Sequence, residues 1–489
     1  MDLQHRWSHL AAIGLASLAG LSLAATAPPA GLPATALPSI LALFWSLHLA
    51  GPQAKPGFHR DIVWPLLAYF LIGWGISYGW VLDHIWTRTA LISVLLLAFL
   101  ALVGAIVCRT GYRLAGAYGL AASAMALEAA LTFGPVSMPL VSTGFTVSGT
   151  SWETVVPLFG ITGVSFLLWG LAAMVFGLAP RTQPIVILLW MLISVSGFEE
   201  RQLSVPDAPS PVLPVALIQP GIPAASWANV RDDSRIHDLA SRSDSSRRLL
   251  IWPETALPVG TAQRQDSLLQ RHAPSDVIAG GIMVSDGGDV HNAAVYWQAP
   301  HPPGKSRLLW TAKRRLIPLV EYIPGLEQVP WLGLLRVDSG GMSGYVPGHE
   351  RAVWDVGDIQ LAVLICYESL FGWEARSAAR QGADAILVLS QNGWWINSRM
   401  QLQHRDMTAL VARAIGRAVV MAGVSGWTGI LSESGRAGPS LSLREPGVLH
   451  ADVRPRPRKT LYLVMGETFS AMFFVVVVSL GVFQWRKHD

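Results

Sequence analysis

The first two hundred residues are almost continuously apolar, interrupted only by short polar or Pro/Gly stretches. A chain built this way needs lipid against its outer surface. Seven hydrophobic spans fall at about 9–26, 33–50, 62–82, 89–108, 114–133, 154–178 and 183–198. All but the short last one approach the roughly 20 residues that carry a helix across hydrocarbon. A further apolar span, 466–485, is followed by Arg486, Lys487 and His488. Composition agrees: charged residues make up 14% of the chain, against about 25% in an ordinary soluble domain. The mean hydropathy is +0.40. The 20 Trp residues suit a membrane interface, where an amphipathic ring rests at headgroup level.

Basic residues orient the spans. With His5 and Arg6 inside, the inside loops hold Lys55, Arg60, Arg109, Arg113, Arg181, Arg486 and Lys487. The short outside loops hold Arg88 and almost nothing else. Both termini then lie inside and residues 213–455 outside, which in a bacterium is the periplasm. Residues 1–26 also have the basic start, apolar middle and small-residue end (SLAATA) of a cleaved signal. Charge alone does not separate a cleaved from a retained first span. Three parts are expected: a membrane domain at 1–200, a soluble domain at 213–455 and a last transmembrane helix at 466–485.

The soluble part changes character. Strand-like apolar runs occur at 212–218, 249–251, 277–282, 293–297, 360–365, 385–389 and 419–424, with helical patterns at 373–381 and 401–417. Strands alternating with helices predict a layered α/β domain. The net charge of +4 is spread thinly, with no basic run interleaved with aromatics to suggest nucleic acid. The two cysteines, Cys108 and Cys366, fall in different parts, so a disulfide between them is not expected. No zinc-type spacing exists, and neither a metal nor an organic cofactor is implied. The segment 454–459, RPRPRK, reads as a stiff basic linker into the last span.

Three segments carry chemistry. LLIWPETALP (249–258) ends an apolar strand in a turn holding Glu254; taken alone, such a residue is an ordinary loop carboxylate. TAKRRLIPLVEYIP (311–324) holds Lys313 and Glu321; a lysine in a basic triplet is ordinarily a solvated charge. LAVLICYESLFG (361–372) delivers Cys366 at a strand-to-helix turn; an isolated cysteine is ordinarily an inert buried residue. Together they meet the needs of covalent acyl transfer. The thiolate is the nucleophile and needs a base, and the oxyanion that forms needs positive charge or donors. Glu254, Lys313 and Cys366 supply one each, all beside predicted strands.

The order Glu, Lys, Cys resembles that of the carbon–nitrogen hydrolase (nitrilase) superfamily. The motifs WPET, AKRRLIP-x-x-EYIP and ICYE look most like the apolipoprotein N-acyltransferase family. The resemblance implies eight transmembrane helices, with a nitrilase-like four-layer αββα sandwich inserted between the seventh and eighth. It also implies Glu254 as general base, Lys313 as the lysine partner and Cys366 as nucleophile. Glu321 would assist near the thiol, Tyr367 and Glu368 would follow the nucleophile, and Trp394 would stand after the next strand. The implied reaction moves a phospholipid acyl chain to the amine of a diacylglyceryl apolipoprotein. The chain departs from the family at Val320, where glycine is usual, in SQNGWWI (Ser390 to Ile396) and in SGWTG (Ser425 to Gly429). These segments surround the nucleophile and bear on substrate choice. A conjugal-transfer membrane homologue, a membrane amidase and a non-catalytic assembly component remain open at this stage. Trp331, Trp373, Trp394, Trp395 and Trp427 are candidates for the interface or an acyl channel, with a core role equally open. The stretches 323–326 and 339–347 are candidate lids.

Overall fold

A computed structural model describes residues 3–26, 35–50, 62–79, 82, 87–178, 181–195, 211–222, 234–243, 249–300, 305–318, 320–323, 344–394 and 399–486. Lys55, Arg60, Trp395, Ile396 and all of 324–343, Trp331 included, lie outside the described residues. The chain divides into two compact units. One comprises Met1–Leu82, Ala90–Arg201 and Met465–Asp489; the other comprises Asp83–Thr89 and Gln202–Val464.

The first unit is helical: α1 (Leu3–Thr26), α2 (Ala36–Ala50), α3 (Val63–Ser77), α4 (Thr87–Phe133), α5 (Val156–Phe176) and α6 (Gln183–Val195). The C-terminal α12 (Thr468–Trp485) completes it. Among the described residues four stretches are apolar and long enough to cross a membrane: Ser8–Ala25, Ala90–Phe133, Ser151–Phe176 and Thr468–Trp485. Ala36–Ala50, Val63–Ser77 and Gln183–Ser194 are apolar but shorter. Small residues let these helices approach. A Cβ on Gly20 of α1 would stand 2.8 Å from the Tyr69 carbonyl oxygen of α3, the close backbone contact that small residues permit in lipid.

α4 corrects one boundary. A break was expected around 109–113, but helix continues through Arg109 and Arg113 to Ala115 and Gly116, where the backbone leaves helical geometry. Gly116, at φ +54°, takes a left-handed conformation that costs glycine little. The two arms then fold back on each other. A Cβ on Gly119 would lie 1.9 Å from the Gly111 carbonyl oxygen. The turn sits where glycine permits it rather than where charge marks it.

The second unit carries two six-stranded mixed sheets. The first contains β1 (Leu213–Gln219), β2 (Leu249–Gly260), β3 (Asp276–Val284), β4 (Val290–Gln298), β5 (Arg307–Ala312) and, at its other edge, β12 (Gly447–Val453). The second contains β6 (Val353–Val356), β7 (Ile359–Ile365), β8 (Ala385–Ser390), β9 (Ala418–Gly423), β10 (Gly429–Leu431) and β11 (Ala437–Ser440). Strands β1, β2 and β3 run parallel, as do β7, β8 and β9; the flanking pairs are antiparallel.

Alternation along each strand decides which side faces which neighbour. Leu213, Val215 and Leu217 of β1 share one core with Leu361, Val363 and Ile365 of β7. Ala216 and Ile218 turn the other way, into a core with Leu239 of α7 (Ser234–Arg242) and Leu268 and Leu269 of α8 (Ala262–His272). Against the second sheet, α9 (Gly372–Arg380) lies on β7 and β8, and α10 (Arg399–Ile415) on β9. The RPRPRK stretch is tied to this unit: the Arg456 amide donates to Glu433 Oε1, and Arg458 exchanges hydrogen bonds with the end of α10. A short α11 (Leu461–Met465) follows it.

Candidate active site

β7 runs Ile359–Ile365 and ends on Cys366, which begins a short 3-10 turn. Cys366 has φ +51°, a conformation that costs a non-glycine residue energy and persists only where its surroundings enforce it. Glu368 supplies part of that enforcement. Its carboxylate accepts from the amides of Ile365 (2.8 Å), Arg314 (2.6 Å) and Arg315 (3.0 Å). One side chain thereby ties the cysteine turn to the segment that follows Lys313.

Glu254 stands inside β2 rather than after it, correcting the expected turn. β2 continues to Gly260, but its register against β3 jumps between Trp252 and Leu257. Thr255 takes φ +56° within the bulge. A bulge of this kind re-aims a side chain, and Gly280 of β3 makes room for it: a Cβ there would meet Glu254 Cα at 2.4 Å. Lys313 comes directly after β5, its amide donating to the Asn292 carbonyl at 2.7 Å.

These elements gather one polar cluster. Lys313 Nζ lies 2.9 Å from Glu321 Oε1 and 3.5 Å from Glu254 Oε1. The Asn292 amide donates to both carboxylates at 2.8 Å. Ile317 N donates to Glu321 Oε2 at 2.8 Å. Lys313 is fully buried, and Glu254, Glu321 and Cys366 nearly so. The Cys366 thiol donates to Asn392 Oδ1 at 3.6 Å. Tyr367 is buried with its ring edge-on to Phe371, and Trp394 is buried beyond β8. Trp427 is buried too, while Trp373 receives the Arg315 guanidinium over its ring at 4.4 Å. Within the expected lid 339–347, the amides of Gly344 and Tyr345 donate to the Glu321 carbonyl.

Burial and charge tune the cluster. Burial raises the Glu254 pKa above the ordinary carboxylate value and Glu321 adds to it, while Lys313 opposes. Burial also pushes the Cys366 thiol up, helped by Glu254 and opposed by Lys313. For Lys313 burial pulls downward, but Glu321 and Glu254 outweigh it and hold the ammonium above its ordinary value. The charged lysine faces a carboxyl poised to take up a proton, with the thiol beside them.

Three residues of this neighbourhood escaped sequence reasoning: Asn292, Asn392 and His404. Asn292 left a signal, a lone amide amid the apolar run of β4. Asn392 sits in the segment marked as departing from the family, and His404 lies on the buried side of α10.

Two mixed sheets that bring together a cysteine, two carboxylates and a buried ammonium define a nitrilase-like fold with a candidate cysteine site. Residues 214–456 match the carbon–nitrogen hydrolase family model. A curated apolipoprotein N-acyltransferase of Chlorobaculum tepidum is 28% identical over 62% of this chain and 64% of its own length. Those of Methylococcus capsulatus and Sinorhizobium medicae are each 24% identical, covering 88% of both chains and 95% and 93% respectively. The alignment thus spans just under two thirds of the Chlorobaculum protein and nearly all of the Sinorhizobium one. Residues 214–456 thus carry a carbon–nitrogen hydrolase domain, and the chain is similar to curated apolipoprotein N-acyltransferases.

Proposed function

We propose that this chain is an apolipoprotein N-acyltransferase working through an acyl-thioester on Cys366. The observation that carries the proposal is the buried Glu254–Lys313–Cys366 cluster in a chain that also holds long apolar helices. Glu254 takes the thiol proton, and sulfur attacks the ester carbonyl of a phospholipid acyl chain. Lys313 and neighbouring amides stabilise the oxyanion. The ester C–O bond breaks, and the lysophospholipid alkoxide leaves with the proton held by Glu254. The free amine of a diacylglyceryl-cysteine lipoprotein then attacks the thioester. Glu254 removes a proton from the amine and returns one to sulfur as the C–S bond breaks. Glu321 and Asn292 hold the ammonium and the base in register; Glu368 fixes the cysteine turn, and Tyr367 and Trp394 line its surroundings.

The architecture proposed with this function has eight transmembrane helices in a bacterial inner membrane. Its domains are 1–200, 213–455 and 466–485, the middle one a four-layer αββα sandwich on the periplasmic side. Both substrates are then lipids that reach the enzyme by diffusion within the bilayer. Cys366→Ala tests the reaction. With labelled phosphatidylethanolamine and a diacylglyceryl peptide, the variant is expected to transfer no label and to trap no acyl-enzyme detectable by mass spectrometry. Transfer at the wild-type rate removes Cys366 as nucleophile.

A further inference from the structure

Both the side chain and the main chain of Cys366 are tied to one imidazole. The Asn392 Nδ2 lies 2.8 Å from His404 Nδ1. An amide NH2 only donates, so Nδ1 accepts and carries no proton. The ring proton of the neutral tautomer is then on Nε2, which lies 2.7 Å from Ser369 Oγ. Ser369 in turn donates to the Cys366 carbonyl at 2.9 Å. The circuit closes where the Cys366 thiol donates to Asn392 Oδ1 at 3.6 Å. Four hydrogen bonds leave the cysteine at its sulfur and return at its carbonyl. Thr408 Oγ1 joins Ser369 at 3.0 Å, and Gln401 Nε2 donates to the Asn392 carbonyl at 3.2 Å. His404, Asn392 and Ser369 are all buried.

We propose that His404 is a positioning residue for the nucleophile: by accepting from Asn392 Nδ2 it aims Asn392 Oδ1 at the sulfur, keeping Cys366 a thiol until Glu254 removes the proton, and through Ser369 it holds the strained Cys366 carbonyl. An acceptor oxygen facing sulfur favours S–H over the thiolate. A turned amide offering Nδ2 does the reverse, because hydrogen bonds to the charged form stabilise it. Among the described residues, the Asn392 amide nitrogen is hydrogen-bonded to His404 Nδ1, and this bond sets which face of the amide looks at the sulfur. The charged and titratable groups acting on Cys366 are Glu254 of β2, Lys313 after β5 and Glu321, with Glu368 in its own turn. Burial takes the His404 pKa down to about 4, so the ring stays neutral wherever thiol reactivity is measured.

The proposal builds on Cys366 as the nucleophile of the proposed acyl transfer, but its test needs no lipid substrate. The full-length solubilised protein is treated with iodoacetamide across pH 6–10, and alkylation is read on the Cys366 peptide by mass spectrometry. In His404→Ala the freed Asn392 amide can turn Nδ2 to the sulfur, and the alkylation profile is expected to move toward acid by about one pH unit. His404→Asn, whose side-chain oxygen replaces Nδ1 as acceptor, is expected to stay near wild type. Ser369→Ala leaves the Asn392–His404 bond in place. It is expected to keep the wild-type profile while slowing single-turnover acylation by an activated ester at least tenfold. If His404→Ala does not fold, His404→Leu takes its place, since it fills a similar volume and has no acceptor. Superimposable profiles for wild type and a folded acceptor-less variant overturn the proposal. A shifted profile in a chain that transfers no acyl group upholds the positioning role and sinks the proposed function instead.

Discussion

At the residue scale the unusual feature is Lys313, an ammonium with no solvent contact held between two carboxylates. Removing one partner of such a set leaves buried charge uncompensated and typically costs about 3–5 kcal/mol. Lys313→Met is therefore expected to lower the unfolding temperature at pH 7 and to abolish acyl transfer. The pH dependence separates its causes. Without the ammonium to oppose burial, Glu254 prefers to bind a proton in the fold more than in the unfolded chain. A carboxyl whose folded pKa is raised loses stability as pH rises from the ordinary value, about 4.3, through the folded one. The variant's deficit should thus shrink toward pH 5 and widen toward neutrality. The wild type has a further loss at the alkaline end. Lys313 is held above its ordinary value, so its contribution is full below about pH 10.4 and is lost as pH climbs through the folded value. Thermal melts of both proteins from pH 5 to 11 check the two slopes; parallel curves would rule out a charged Lys313 as the cluster's keystone.

At the scale of elements, two strands cooperate to place the base. Glu254 points where it does because β2 bulges, and β2 bulges where Gly280 of β3 leaves space. Gly280→Ala is expected to lower acyl transfer at least tenfold through kcat, with the melting temperature falling only modestly. Activity unchanged in a folded Gly280→Ala protein would show that the bulge does not depend on that space. The same bulge marks how far the sequence could be read. The central strands were legible because their apolar runs are short, β-branched and bounded by turns: β1, β3, β7, β8 and β9 match within two residues at either end. The edge strands β5, β6, β11 and β12, and the three-residue β10 beside β11, were not, being short or partly exposed. Glu254, Lys313, Glu321 and Cys366 were legible because their motifs are compact. Asn392 and His404 were not, because their importance comes from a tertiary hydrogen-bond circuit that no spacing encodes. The turn at Gly116 was misplaced because charge at Arg109 and Arg113 suggested a loop, whereas glycine and close packing set the turn.

At the scale of the whole molecule, the strands of the two-sheet unit all lie within Gln202–Val464, and the chain then rejoins the apolar unit, so α12 belongs with α1 to α6. α12 packs through aromatic contacts on α5, Phe469 and Phe473 against Phe159 and Phe474 near Phe166. A lipid-to-lipid reaction requires the catalytic unit on the side of the bilayer where the acceptor emerges. The proposed topology, argued from the asymmetry of basic residues, has residues 213–455 outside and both termini inside. That placement is open to direct measurement. In a Cys108→Ala, Cys366→Ala background, Gly438→Cys lies in the exposed β11, and Arg486→Cys lies at the exposed end of α12. In cells made permeable only at the outer membrane, a membrane-impermeant maleimide is expected to label position 438 and not 486. Inverted inner-membrane vesicles should give the opposite pattern. Labelling of both positions from one side would require an even number of crossings between them. It would exclude α12 as a membrane-spanning helix, and with it the proposed eight-helix arrangement.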